Sequence, residues 1–184
     1  MFRWLVRSRL VIAGLLIFTA LTSAIIIVKN HEEKFTSTAI LSLSPRGDGA
    51  VGADNVKLAV SRYQALLSAG TTLHTVAKKT GAQPLAGAAQ VSVPPETVTI
   101  VVSVTLADAT MAADVANELS RTALSEGHDD ALVIIDLLAP AIVADSPSGL
   151  SQNWVIALAM LGELTAIALA FFFALRLGRY ATVS

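Results

Sequence analysis

Val98-Thr99-Ile100-Val101-Val102-Ser103-Val104-Thr105-Leu106 runs directly into Ala107-Asp108-Ala109-Thr110-Met111-Ala112-Ala113-Asp114-Val115-Ala116-Asn117-Glu118-Leu119. In the first half, Val98, Ile100, Val102, Val104 and Leu106 fall on one side of an extended chain, and Thr99, Ser103 and Thr105 fall on the other. That period of two predicts a strand with one face in a core. At Asp108 the period changes. Its carboxylate is placed to accept from the first free amides of a helix, and Met111, Ala112, Val115, Ala116 and Leu119 then recur at helical spacing. A strand followed at once by a helix with one apolar stripe predicts helix layered on sheet.

The same two periods organise the chain on either side. Phe35, Ser37, Ala39, Leu41 and Leu43 alternate with Thr36, Thr38, Ile40 and Ser42, predicting a first strand that stops at Pro45. Arg46-Gly47-Asp48 matches a cell-adhesion tripeptide, but from Arg46 through Gly52 the composition is that of a turn. Val56, Ala59, Val60, Tyr63, Leu66 and Leu67 then repeat as a helix, with Asn55 as its cap and Gly70 just past its end. A second helix, about Thr72 to Thr80, closes at Gly81. Gln90 to Val93 predicts a brief strand, joined through Pro94-Pro95-Glu96-Thr97 to the main one, and Leu132 to Leu138 predicts the last. The order β-α-α-β-β-α-β over residues 29–138 implies a compact α+β sandwich, with helices over a mainly antiparallel or mixed sheet. Residues 139–153, carrying Pro140, Ser146, Pro147, Ser148 and Gly149, form a spacer.

Both ends of the chain are apolar. Leu10 to Val28 and Trp154 to Leu175 are each about 20 residues, enough at helical rise for the roughly 30 Å hydrocarbon core of a bilayer. Two crossings are expected. Arg3, Arg7 and Arg9 precede the first and Arg176 and Arg179 follow the second, so residues 1–9 and 176–184 are expected in the cytoplasm and the middle outside. Thr22-Ser23-Ala24 has the small residues of a signal-peptide cleavage site. The apolar run nevertheless continues through Ile25, Ile26, Ile27 and Val28, beyond the roughly 7 to 15 residues of a signal core.

Mean hydropathy is +0.65 with 15% charged residues, and the apolar excess lies in the two ends. Between Lys29 and Asn153 there are eight Lys or Arg against thirteen Asp or Glu, an acidic balance that argues against a nucleic-acid partner. The chain has no cysteine, which excludes disulfides and thiolate chemistry, so the central domain must be held by its own core.

With these elements in place, the chain resembles the Wzz chain-length determinant family, the polysaccharide co-polymerases, and in particular its short Gram-positive members of the CpsC and YveK type. Phe35-Thr36-Ser37-Thr38-Ala39-Ile40-Leu41 is similar to the family's aromatic-x-Ala strand, and Leu67-Ser68-Ala69-Gly70-Thr71-Thr72-Leu73 to its helix junction. The most specific piece is Ala107 to Leu119, similar to the family's strand-Asp-helix segment, with Asp108, Ala112-Ala113, Ala116-Asn117 and Leu119 carrying the likeness. Ala139-Pro140-Ala141 and Ser146-Pro147-Ser148 resemble the proline-rich approach to the second membrane helix. Ser151-Gln152-Asn153 departs from the Ser-Pro-Asn typical there, and the long helical insertion of enterobacterial members is absent, so the resemblance implies a base domain alone.

The resemblance implies a plasma-membrane (inner-membrane) protein without catalytic residues or cofactor. Such a protein forms homo-oligomers beside a Wzy-type polymerase, sets the chain length of a capsule or exopolysaccharide, and in some relatives works with a cytoplasmic tyrosine kinase. The tail after Leu175 has no phosphate loop, so any kinase is a separate chain. Pro140 and Pro147 then mark the linker, and Arg176, Arg179 and Tyr180 are the candidate cytoplasmic contact, with membrane anchoring the plainer role for Tyr180. An envelope sensor or an accessory subunit of an envelope transporter is the competing class.

Glu163 stands out, because it lies about nine residues inside the second apolar run, roughly 13 Å deep, beyond the reach of snorkelling. Thr19 lies at matching depth in the first run, with Thr22 and Ser23 near, so a hydrogen bond between the carboxyl and a hydroxyl is expected, within one subunit or between two. Gly162, Ala166, Ala170 and Ala174 form a small-residue stripe beside it, a candidate assembly seam. His31, His74 and His128 belong to different elements, so no catalytic or metal site is expected from them. Glu126-Gly127-His128-Asp129-Asp130 reads as a solvated turn. Phe35 and Tyr63 are the aromatics of the central domain, and both are placed for a core, which leaves no aromatic platform for a sugar.

Overall fold

The computed structural model describes residues 2–46, 53–82 and 84–179. Among these are five helices and one sheet of four strands, in the order α1 (Phe2–Asn30), β1 (Phe35–Pro45), α2 (Ala53–Ser68), α3 (Gly70–Thr80), β2 (Ala89–Ser92), β3 (Thr99–Leu106), α4 (Ala109–Gly127), β4 (Val133–Ala139) and α5 (Gln152–Arg179). The chain divides into two compact units, residues 34–149 and the two terminal segments together.

The sheet unit has strand order β2-β3-β1-β4, with every pair antiparallel. β1 lies centrally, pairing Phe35 with Leu106 and Ser42 with Thr99 on one side and Pro45 with Val133 on the other. Alternation decides which face is covered: Ala39, Leu41, Leu43, Ile100, Val102, Val104, Val133 and Ile135 are buried where α4 packs on β1, β3 and β4. On the opposite face hydroxyls pair across strands, Thr36 with Thr105 at 2.7 Å and Thr38 with Ser103 at 3.1 Å. Such pairs suit a solvated sheet face.

Local chemistry sets the helix ends. Asp108 caps α4 by accepting from the Met111 amide at 2.9 Å, and the apolar stripe continues past Leu119 through Ala123 to Gly127. Gly81 ends α3 in the left-handed region at φ 76°, where a glycine avoids the Cβ penalty. Asn55 is not a cap. α2 begins at Ala53, which puts Asn55 inside the first turn. α3 likewise begins at Gly70, so Ala69 alone separates it from α2. Val98 is 40% exposed because β3 starts one residue later and Val98 turns its carbonyl to the Leu43 amide. Gly47 and Asp48 of the adhesion-like tripeptide lie outside the described residues.

α4 ends against β4 too closely for a side chain. A Cβ on Gly127 would lie 2.6 Å from Ile135 Cδ1 and 2.8 Å from Cγ1. Gly127→Ala is therefore expected to lower stability by about 1–2 kcal/mol through overpacking. Adding Ile135→Val, which removes Cδ1, should recover part of that loss in urea titrations of the double variant.

In the terminal unit α1 packs against α5. Among the described residues one helix, Gln152–Phe172, is long and apolar enough to cross a membrane, with mean hydropathy 2.2. The described apolar part of α1, Ile17–Asn30, is shorter, so a second span is not shown.

Candidate functional site

Hydroxyls on α1 are answered along its own backbone. Thr19, Thr22 and Ser23 donate to the carbonyls of Leu15, Phe18 and Thr19 at 3.0, 2.7 and 2.9 Å. On α5, Val155 and Ala170 are buried and Ala159, Glu163 and Ala166 half-buried, a spacing of three and four that turns one side toward α1. Ala166 and Ala170 of the small-residue stripe thus belong to the packing within this pair. Gly162 is exposed, and a Cβ there would meet nothing within 4 Å. Ala174, Arg176 and Arg179 belong to α5, but their side chains, like all of Tyr180, lie outside the described residues.

Glu163 borders clefts on both sides of the α1–α5 seam. One, of about 520 Å³, also takes in Ser23, Ala159 and Gly162; the other, of about 760 Å³, takes in Ile156 and Met160. Its Oε2 is buried and has no hydrogen-bond partner. The Thr19 hydroxyl donates to the Leu15 carbonyl of its own helix. At the end of the pair, His31 Nε2 meets the Leu150 carbonyl at 2.7 Å, and Glu33 Oε1 accepts from the Gln152 amide at 2.6 Å. These contacts fasten the end of α1 to the start of α5.

The sheet unit carries three polar locks. Tyr63 on α2, fully buried, donates to Asp130 Oδ2 at 2.8 Å. The same oxygen meets Arg62 Nη2 at 3.0 Å, and Oδ1 accepts from the Leu132 amide at 2.9 Å. The Leu132 amide, with Tyr63 and Arg62, holds the Asp130 carboxyl below its usual range against the opposing effect of burial. Burial and the Asp130 hydrogen bond push the Tyr63 phenol up to about 12. Asp130, expected in a solvated turn, is thus buried, while Glu126, His128 and Asp129 beside it are exposed. In the second lock Glu118 of α4 receives Lys79 of α3 and, at 3.2 Å, Arg121. The Lys79 hydrogen bond holds the Glu118 carboxyl below its usual range.

The third lock joins distant segments of chain. Asn117 of α4 donates from Nδ2 to the Ala141 carbonyl and accepts the Ala141 amide on Oδ1, both at 2.9 Å. The proline-containing run after β4 is therefore strapped along α4 instead of hanging free. Pro140 is exposed and Pro147 half-buried within it. The run closes at Ser148, whose amide and hydroxyl both donate to the Lys34 carbonyl, at 2.8 and 2.9 Å. Among the described residues no three His, Asp or Glu side chains gather as a metal-binding group. Sequence spacing did not disclose the Asn117 clamp, because both its partners are backbone atoms of a segment 24 residues away.

No protein-family model matches the chain, and no curated protein matches it.

Proposed function

We propose that the chain is a membrane hairpin whose α1 and α5 both cross the plasma membrane, with both termini in the cytoplasm and the sheet unit outside. In this reading it is a non-enzymatic polysaccharide co-polymerase, or capsule-assembly adaptor. Copies of the chain act beside a Wzy-type polymerase, with a separate tyrosine kinase as a further partner, to set polymer length or export. The Asn117–Ala141 clamp carries the reading. Asn117 belongs to the most specific stretch of the resemblance, Ala107 to Leu119, and Ala141 to the Ala139-Pro140-Ala141 stretch. Two segments that suggested the family separately are hydrogen-bonded to one another. A paired amide contact of this kind holds the run after β4 against α4 within the sheet unit, the kind of ordered base that a scaffold acting by geometry requires.

Deleting the gene and sizing the surface polysaccharide tests the role. The expected outcome is a changed length distribution, restored by the wild-type chain and poorly restored by Asn117→Ala. Unchanged amount and length of polymer would refute the proposal.

A further inference from the structure

The sheet has two edges, and the chain treats them differently. At β2 the outward-facing backbone is answered from within. The Ala89 amide donates to the Leu85 carbonyl at 3.1 Å, and Gln64 Nε2 donates to the Val91 carbonyl at 3.3 Å. That strand is also only four residues long. Short length, edge lysines and side-chain cover are common means of keeping a strand from pairing with another chain.

β4 uses none of these. It has seven residues, and its ladder with β1 is regular from Val133 to Leu137, the register shifting only beyond. Leu43, which faces Ile135 across the pair, sends its amide the other way, to the Val98 carbonyl. By antiparallel geometry Ile135, and Leu137 one pleat on, therefore turn their amides and carbonyls out of the sheet. Among the described residues nothing hydrogen-bonds to them there. The side chains along the edge are open and apolar, with Ile134, Leu137 and Leu138 exposed, Leu138 by 65%. Charge is one-sided. Residues 126–149 hold five Asp or Glu and no Lys or Arg, and Asp136 is exposed at the middle of the strand.

We propose that the β4 edge takes up, as an added strand, an extended segment of another protein that alternates apolar residues with Lys or Arg. Main-chain hydrogen bonds to Ile135 and Leu137 hold the segment, and its side chains select it. Asp136 faces Ser42 across the pair and so shares the open face of the sheet, where a basic side chain meets its carboxylate and lays its stem over Ile134 and Leu138. The alternate, apolar side chains fall beside Leu137 on the α4 side. A second copy of this strand is the poorer occupant. Symmetric antiparallel pairing that uses both Ile135 and Leu137 sets Asp136 directly opposite its own counterpart, like charge against like charge, and β2 of a copy is already closed. The inference rests on the topology of the sheet unit and on neither the membrane nor the polysaccharide reading.

The probe is a capped, dye-labelled peptide of seven residues, the length of β4, alternating valine with lysine. Its controls carry glutamate for lysine, or N-methyl groups at every residue, which remove the hydrogen-bond donors. Each is added to the full-length protein in detergent, with fluorescence anisotropy reporting binding and amide exchange across residues 133–139 reporting the place. The expected result is slowed exchange at Ile135 and Leu137 with the lysine peptide and binding at least about tenfold weaker for both controls. Asp136→Lys should weaken the lysine peptide about three- to fivefold while leaving the urea midpoint of the protein near wild type. No slowing at about 1 mM lysine peptide, or equal binding of either control, overturns the docking. Slow exchange of the same amides without peptide, growing with protein concentration, shows a second copy on the edge and overturns it as well.

Discussion

Tyr63→Ala is expected to destabilise the sheet unit by about 4 kcal/mol, the largest effect of any single substitution considered for it. Deleting a fully buried aromatic ring removes its transfer energy and leaves a cavity that the surroundings fill only in part, typically about 3–5 kcal/mol for a ring lost to alanine. The loss does not stop at the ring. Asp130, buried beside it, forfeits the phenol donor, so an acceptor at the heart of the lock is left short of a bond. Tyr63→Phe isolates that part, keeping the ring while removing the hydroxyl, and should cost about 1 kcal/mol. Urea unfolding of the full-length protein in detergent, followed by amide exchange in β1 and β3, measures both. A Tyr63→Ala loss under about 1 kcal/mol would show that α2 collapses into the gap and is not keyed by this side chain.

The second large effect is on the pH range of stability, and its two limbs have opposite signs. Tyr63 has its folded-state value raised to about 12, against about 10 in an unfolded chain. Its contribution is therefore complete below pH 10 and is lost as pH rises from about 10 to about 12, amounting to about 2–3 kcal/mol. Tyr63→Phe removes the titrating group, so the advantage of wild type over this variant should fall through zero and reverse over that interval while the lysine titrations common to both cancel. On the acid side Asp130 and Glu118 are depressed. Their contributions are complete above the ordinary carboxylate range and disappear as pH falls through their folded-state values. Asp130→Asn should therefore flatten the wild-type loss of thermal stability below about pH 4. A variant whose acid limb coincides with wild type would place the acid sensitivity elsewhere.

What could be read from the sequence was whatever depends on neighbours close along the chain. The alternation through β1 and β3, the Asp108 cap and the Gly81 terminus are all settled within about one helical turn or two strand residues, and each is where the periodicity placed it. Tyr63 was legible as core for the same reason, since it falls on the α2 stripe. Asp130 was not. In its local sequence it is one of several acidic residues in a turn, and only the meeting of α2 with the start of β4, 67 residues apart, supplies the phenol and guanidinium that make burying it tolerable. Glu163 shows the reverse case. Its depth in an apolar run was plain from sequence, but the direction of the α1 hydroxyls depends on rotamers that answer to the nearest carbonyl, which spacing along the chain does not encode.

The Lys34–Ser148 closure has a consequence for how the helix pair forms. With Ser148 bonded twice to the Lys34 carbonyl, the insert begins and finishes at nearly one point, like a bead threaded on a short tie. Once it has folded, bringing α1 to α5 means closing a connection of only a few effective residues. Relative to an unstructured segment of the same length, that lowers the closure entropy by about 3 kcal/mol. An insert with its ends held this way can be exchanged for another of similar end spacing, or excised and bridged by a few glycines, without asking the helices to find each other across a long, slack tether.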